Sequence, residues 1–390
     1  MMKNKLHIVT VCVFLSLLIG FSLAFWILPD RSFSDEENRS LRTFPRFSWE
    51  RLFDGSFSRE INEYFADQFP ARDDLVGLKG VAENALLKGE NNGILLGKNG
   101  QLAQRLFDVQ CADGRVLTDC DGFDDAHIRE AGAGLIRANE NLDVPFTVLL
   151  TGRTLDVAAS AFVYPREGSD ALLSAVEGAV GDVDYLQTVP EMRERYDAGE
   201  AVYYRTDHHW TTLGAYYAYA ALMRNWGMDE QTLPMEAFTR QTASEAFYGT
   251  AWSAGGMKQV APDSLEIWLL GNEDEFTVTA DGRALAGLYS YSYLEKKDKY
   301  SVFLDGTHDV VTIQKEGEER PTLLLLKDSF ANALAPFLSQ HFDLVLLNLS
   351  STRNDYTNVS ARAAEYGADR VLLVYTLENV ITADKLSRLR

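Results

Sequence analysis

The apolar positions of this chain fall into three patterns, and each predicts a different kind of element. From Leu6 to Leu28 the run LHIVTVCVFLSLLIGFSLAFWIL contains no acidic residue, no lysine and no arginine. At about 1.5 Å per residue such a helix covers a hydrocarbon core of about 30 Å. Further on, Phe57, Ile61, Tyr64 and Phe65 recur at i, i+4, i+7 and i+8, which makes one helical stripe that Pro70 ends. A second helix is expected from about Asp73 to Leu87. Then Asn92-Gly93 and Lys98-Asn99-Gly100 alternate with the short apolar run Ile94–Leu96, which predicts a hairpin.

From about residue 124 the pattern changes to helix-length segments alternating with unbroken apolar runs. Asp125 to Asn141 reads as a helix, and VPFTVLLTG at 144–152 as a strand. Thr322 to Lys327, Asp343 to Leu349 and Arg370 to Tyr375 are runs of the kind that suit parallel strands buried on both faces, with helices expected at 331–341 and 359–366. The expected architecture is therefore α/β with a mostly parallel sheet. Residues 227–306 are irregular and read as a lid-like insertion. The organisation expected is a cytoplasmic amino terminus at 1–5, a transmembrane signal anchor at 6–28, a stalk with a helical and hairpin region at 29–123, and an α/β domain at 124–390.

Charge and cysteines narrow the partners. Lys3 and Lys5 precede the apolar run and Trp26 stands near its far end, which places the amino terminus inside and the rest of the chain outside, as a single-pass cell-membrane protein. Ser22-Leu23-Ala24 has the small-x-small form of a cleavage site, so a removed signal peptide is the competing reading; both export the body. With 37 basic against 57 acidic residues the net charge is −20, which excludes nucleic acid as a partner because phosphates demand clustered Lys and Arg. Of three cysteines, Cys12 lies in the apolar run, and Cys111 and Cys120 flank a short polar loop that an exported protein would close as a disulfide.

The residues suited to chemistry form two groups. In Tyr203-Tyr204-Arg205-Thr206-Asp207-His208-His209-Trp210, an extended backbone would put Asp207 and His209 on one face and His208 on the other. A carboxylate beside an imidazole orients a general base by fixing one ring nitrogen and freeing the other. Thr211 or Thr212 would cap the helix that follows. The alternative is a metal site using Asp207, His208, His209 and His308, against which stands the divergence of adjacent side chains on a strand; no metal and no cofactor is expected. The nucleophile candidate is Ser329, placed after the apolar run 322–327 and before a helix, where α/β proteins hold reacting groups and helix amide hydrogens meet an oxyanion. Trp210 and Tyr204 are candidate substrate-stacking residues.

TDHHWTTLGAYYAY, FYGTAWSAGG, FLDGTH and KDSFANALAPFL, in that order, resemble the DHHW proteins, relatives of the periplasmic alginate O-acetylation proteins with an SGNH-hydrolase-like domain. The resemblance implies a three-layer α/β/α sandwich in which the Asp-x-His-Trp motif precedes the serine, a permuted order. It maps acid, base and nucleophile onto Asp207, His209 and Ser329. It departs where SGNH enzymes carry glycine-aspartate-serine, since Lys327 stands in the glycine's place before Asp328. For the oxyanion-binding Gly and Asn, Gly306 and Asn348 are the candidates, with Asn379 behind them. The function implied is extracytoplasmic acetyl transfer to or from cell-surface polysaccharide, with a multispanning membrane acyltransferase as partner. A carbohydrate esterase, or a non-catalytic exopolysaccharide-binding scaffold with a fossil triad, are the alternatives.

Overall fold

The computed structural model describes residues 2–34, 39–105, 109–110, 116–117, 125–162, 167–382 and 384–390. They form two compact units, one of Met1–Lys88 with Gly256–Gln259, the other of Gly89–Gly255 with Val260–Arg390. Cys111 and Cys120, and with them the expected disulfide, lie outside the described residues.

In the first unit the apolar run is a single helix, α1 (Met2–Ile27), whose stretch His7–Ile27 has a mean hydropathy of 2.6 and is long and apolar enough to cross a membrane. Three further helices follow: α2 (Trp49–Phe53), α3 (Ser56–Asp67) and α4 (Arg72–Ala85). Ser48 caps α2 by accepting the Arg51 amide hydrogen. The segment after α1, expected as an extended stalk, folds back instead. Phe33–Ser34 pairs antiparallel with Arg39–Ser40, the Leu41 amide donates to the Ser32 carbonyl, and the Arg42 amide donates to Asp67 of α3.

The second unit is built on an eight-stranded sheet. Its strands in chain order are β1 (Phe146–Thr151), β2 (Asp184–Gln187), β3 (Phe276–Ala280), β4 (Arg283–Ala284), β5 (Val310–Lys315), β6 (Thr322–Lys327), β7 (Asp343–Asn348) and β8 (Arg370–Thr376). They lie side by side in the order β4-β3-β5-β7-β6-β8-β1-β2. The five strands from β7 to β2 run parallel, and β5, β3 and β4 extend the sheet antiparallel. Leu323 to Leu326 and Val371 to Tyr375 are buried without alternation, which is why these strands read as continuous apolar runs. Among the helices of this unit are α5 (Asp125–Glu140), α6 (Glu167–Val180), α7 (Thr212–Asn225), α8 (Ala331–Leu338) and α9 (Val359–Tyr366), of which α7 and α8 follow directly on the segments that carry Asp207, His209 and Ser329.

The stretch 227–306 departs from the lid expected of it. Phe276–Ala280 alternates buried and less buried positions and joins the principal sheet beside β5, while Thr239–Phe247 and Asp263–Leu269 pair as a separate antiparallel ribbon. The expected hairpin forms as a three-stranded antiparallel sheet of Glu90–Asn91, Ile94–Leu96 and Leu102–Gln104. Asn92 and Gly93, both at positive φ, make its two-residue turn.

Candidate active site

Residues 202–211 form a tight hairpin loop and not a strand. Tyr203 and Trp210 make one antiparallel bridge, the Thr211 amide donates to the Val202 carbonyl, and the Tyr204 amide donates to the His209 carbonyl. Neighbours from distant segments hold the loop. Asp263 accepts from the amides of Arg205 and Thr206 and from the Thr206 hydroxyl, and Gln101 donates to the Tyr204 carbonyl. Thr211 then caps α7 by accepting the Gly214 amide hydrogen, as expected.

Within this loop Asp207 turns back on its own chain. Its Oδ1 accepts from the His209 amide at 3.0 Å and lies 2.5 Å from His209 Nδ1, while Oδ2 accepts from the amide and hydroxyl of Thr250 at 2.8 and 3.0 Å. Burial pushes the Asp207 carboxyl up, but His208, His209 and the Thr250 amide outweigh it and hold the group well below the usual carboxylate range. An ionised carboxylate accepts, so His209 carries its ring hydrogen on Nδ1 and leaves Nε2 as an acceptor. Nε2 lies 2.7 Å from Ser329 Oγ. Tyr300 stacks on the imidazole with centroids 3.8 Å apart, and the Phe330 ring lies 4.9 Å away, tilted by 50°.

Ser329 sits in the turn between β6 and α8, between the carboxyl ends of β7 and β8. Asp328 anchors this turn, accepting from the amides of Phe330 and Thr376 and from the Asn379 side chain. Beneath it, Lys327 is fully buried and donates to Asn332 Oδ1 at 2.6 Å, and Asn332 donates in turn to the Gly306 carbonyl. Burial lowers the Lys327 ammonium to about 8. Where a glycine was expected, a buried cation ties the serine turn to the segment that carries Thr307.

A cavity of about 290 Å³ opens over the serine, lined by His208, Thr307, Asp328, Ser329, Asn348, Ser350, Thr376, Glu378 and Asn379. Asn348 Oδ1 accepts the Ser350 amide, which directs its NH₂ end elsewhere, and the Ser329 amide hydrogen has no acceptor among the described residues. Gly306 is unsuited to an oxyanion hole, because its amide is spent on the Phe303 carbonyl. Asn379 is committed to Asp328.

Three expectations need correction. His208 does not face away from its neighbour: the two rings lie 3.9 Å apart, and His208 lines the same cavity as Ser329. Asp207, His208 and His209 thus offer ligand atoms within 4.8 Å of one another, so divergence is no argument against a metal. Those atoms are engaged in hydrogen bonds, with His208 Nδ1 lying 2.7 Å from Thr250 Oγ1. Trp210 and Tyr204 cannot stack a sugar, because both are buried; Trp210 donates to the Phe330 carbonyl and Tyr204 packs on Phe247 and Tyr300. Sequence reasoning missed Thr250, although the FYGT motif that carries it was visible.

The fold and the site define an α/β protein with a Ser–His–Asp hydrogen-bond chain at the carboxyl ends of parallel strands. The resemblance read from its motifs holds: the family model DHHW protein matches residues 171–348, a stretch containing Asp207, His209 and Ser329. A DHHW family protein from Eubacterium siraeum aligns at 20% identity with TM-score 0.56, over 76% of this chain and 97% of that one. Bacillus cereus PatB1 with sulfonyl adduct aligns at 18% identity with TM-score 0.60, over 76% of this chain and 98% of that one. The O-acetyltransferase domain of Pseudomonas putida AlgJ aligns at 14% identity with TM-score 0.45, over 76% and 95% of the two chains. The first two likenesses are of fold. No curated protein matches the chain.

Proposed function

We propose that this chain is an extracytoplasmic, membrane-anchored acyl-transfer protein that moves an acetyl group to or from cell-surface polysaccharide, on a permuted SGNH-type α/β/α fold. The observation that carries the reading is the continuous chain from Asp207 through His209 to Ser329, at 2.5 and 2.7 Å. In the first half-reaction Ser329 Oγ attacks the acetyl carbonyl carbon of an ester donor as its proton passes to His209 Nε2. The bond to the donor's alcohol then breaks, and His209 returns the proton to that oxygen. In the second, a sugar hydroxyl gives its proton to His209 and attacks the acetyl carbon; the bond to Ser329 Oγ breaks, and His209 passes the proton to that oxygen, restoring Ser329. Asp207 holds the imidazole tautomer throughout and stays ionised.

The Ser329 amide and the Asn348 NH₂ are the donors proposed for the oxyanion. A polar cavity of about 290 Å³ suits an acetyl group and one edge of a sugar ring, so the remainder of a polymer would lie outside it. PatB1 holds a sulfonyl adduct, and sulfonyl reagents trap activated nucleophiles. The acetyl donor side is assigned to a multispanning membrane acyltransferase.

The test is acetylation of the purified full chain by an activated acetyl ester, read by peptide mass spectrometry. An acetyl group on Ser329, lost in Ser329→Ala, is the expected result. Absence of any acyl-serine with the folded protein would leave a polysaccharide-binding role. Release of the acetyl group to water as fast as to an oligosaccharide acceptor would make the protein an esterase.

A further inference from the structure

We propose that the first unit is seated in the outer leaflet of the membrane, with Phe65 of α3 and Phe69 just beyond its end at the depth of Phe21 and Phe25 of α1, and that lipid acyl chains fill the groove these residues enclose. The proposal rests on α1 spanning the bilayer.

The depth follows from ring contacts. Phe21 stacks on Phe69 with centroids 5.2 Å apart, and Phe25 packs on Phe65 at 5.1 Å and edge-on against Tyr64 at 5.8 Å. Phe21 and Phe25 belong to the apolar run, so whatever touches them shares its surroundings. Phe65 and Phe69 nevertheless keep 44% and 41% of their surface open, an unfavourable exposure in water and a favourable one in hydrocarbon.

A polar boundary lies immediately beyond. The Tyr64 hydroxyl donates to Asp30, Gln68 exchanges hydrogen bonds with the amide and carbonyl of Arg31, and Arg31 pairs with Asp73 at 2.8 Å. Tyr64 thus has its ring on Phe25 and its hydroxyl on the first acidic residue after α1, the arrangement that suits a tyrosine at a membrane surface.

Between the helices runs an apolar groove of about 590 Å³ that continues along α1 down to Phe14, and Ser22 is its only polar lining residue. Phe14 lies eleven positions before Phe25. At about 1.5 Å per residue the groove therefore reaches about 16 Å into the apolar run, roughly half the hydrocarbon thickness. Its floor is continuous with the outward-facing surface of α1, where acyl chains are the surroundings. That continuity favours lipid over a protein partner or a second copy.

The test uses the full chain at low density in phosphatidylcholine vesicles, with lipids brominated near the carbonyl end of their acyl chains. Phe69→Trp adds one fluorophore to the wild type, and Phe65→Trp is the second reporter should the first disturb folding. We expect the added emission to lose most of its intensity to the brominated lipid and little to aqueous iodide. Quenching by iodide alone, or shielding from both quenchers by a protein cover, would overturn the proposal. Trp26→Phe checks the underlying reading: if the emission that this change removes is insensitive to brominated lipid, it is the spanning helix that fails.

Discussion

Gly249 and Asp207 touch so closely that no side chain fits between them: a Cβ on Gly249 would lie 2.3 Å from the Asp207 Cβ and 2.4 Å from its Oδ2. The next residue, Thr250, supplies both donors to that oxygen. Gly249→Ala should therefore displace Asp207 while leaving Ser329 and His209 in the sequence. We expect ester turnover to fall about 10²-fold or more, as general-base efficiency is lost, with stability down by about 1–3 kcal/mol. Steady-state kinetics with urea unfolding measures both; full activity would show that the Asp207 contact is incidental.

His209→Ala and Ser329→Ala should each lower turnover of an acetyl ester by about 10²–10⁴-fold, and the double variant should be little worse, because members of one catalytic unit are not additive. His208→Ala should do less, with the loss in KM, because His208 lines the cavity without reaching the serine hydroxyl. Equal damage from the two histidine changes would point to a shared ion at Asp207, His208 and His209.

Lys327 gives a pH signature. Its ammonium is lowered to about 8 in the folded protein from an ordinary 10.5, so between these values the unfolded chain binds more protons and stability rises with pH. Below about 8 the cost of the buried charge is carried in full. Lys327→Met should remove this slope, and the difference in urea-unfolding free energy between wild type and variant should change between pH 8 and 10.5. A constant difference would mean that Lys327 titrates normally.

His341 acts at acid pH. Burial lowers it to about 4 from 6.5, and its Nε2 lies 2.8 Å from the Tyr219 hydroxyl, which itself accepts the Leu233 amide. The folded state keeps a neutral ring while the unfolded chain protonates, so stability present above about 6.5 is lost as pH falls toward 4. His341→Gln should flatten the acid limb of thermal unfolding over that interval, and an unchanged limb would refute the assignment.

The strands around Ser329 were legible because burial on both faces leaves a continuous apolar signature, as in TLLLLK and RVLLVY. Asp207, His209 and Ser329 were legible as residue types in order. The shape of the Asp207 loop was not, because it is set by Asp263, Gln101 and Thr250, whose bonds span 42 to 103 positions. The role of Lys327 was not legible for a related reason: its partner Asn332 is known only once the turn is folded. Phe276–Ala280 alternated visibly, yet its pairing with β5 depends on a strand more than thirty residues later.

The Asp207–His209 contact closes over two positions of the chain, whereas His209 and Ser329 are 120 positions apart. Ser329 in an unfolded chain is therefore an ordinary alcohol, and it gains its activating neighbour only when the 202–211 loop docks on the turn after β6, where Trp210 donates to the Phe330 carbonyl. On the proposed reading a chain not yet folded would be inert toward acyl donors, and reactivity would mature with that long-range docking, so folding itself guards against premature self-modification.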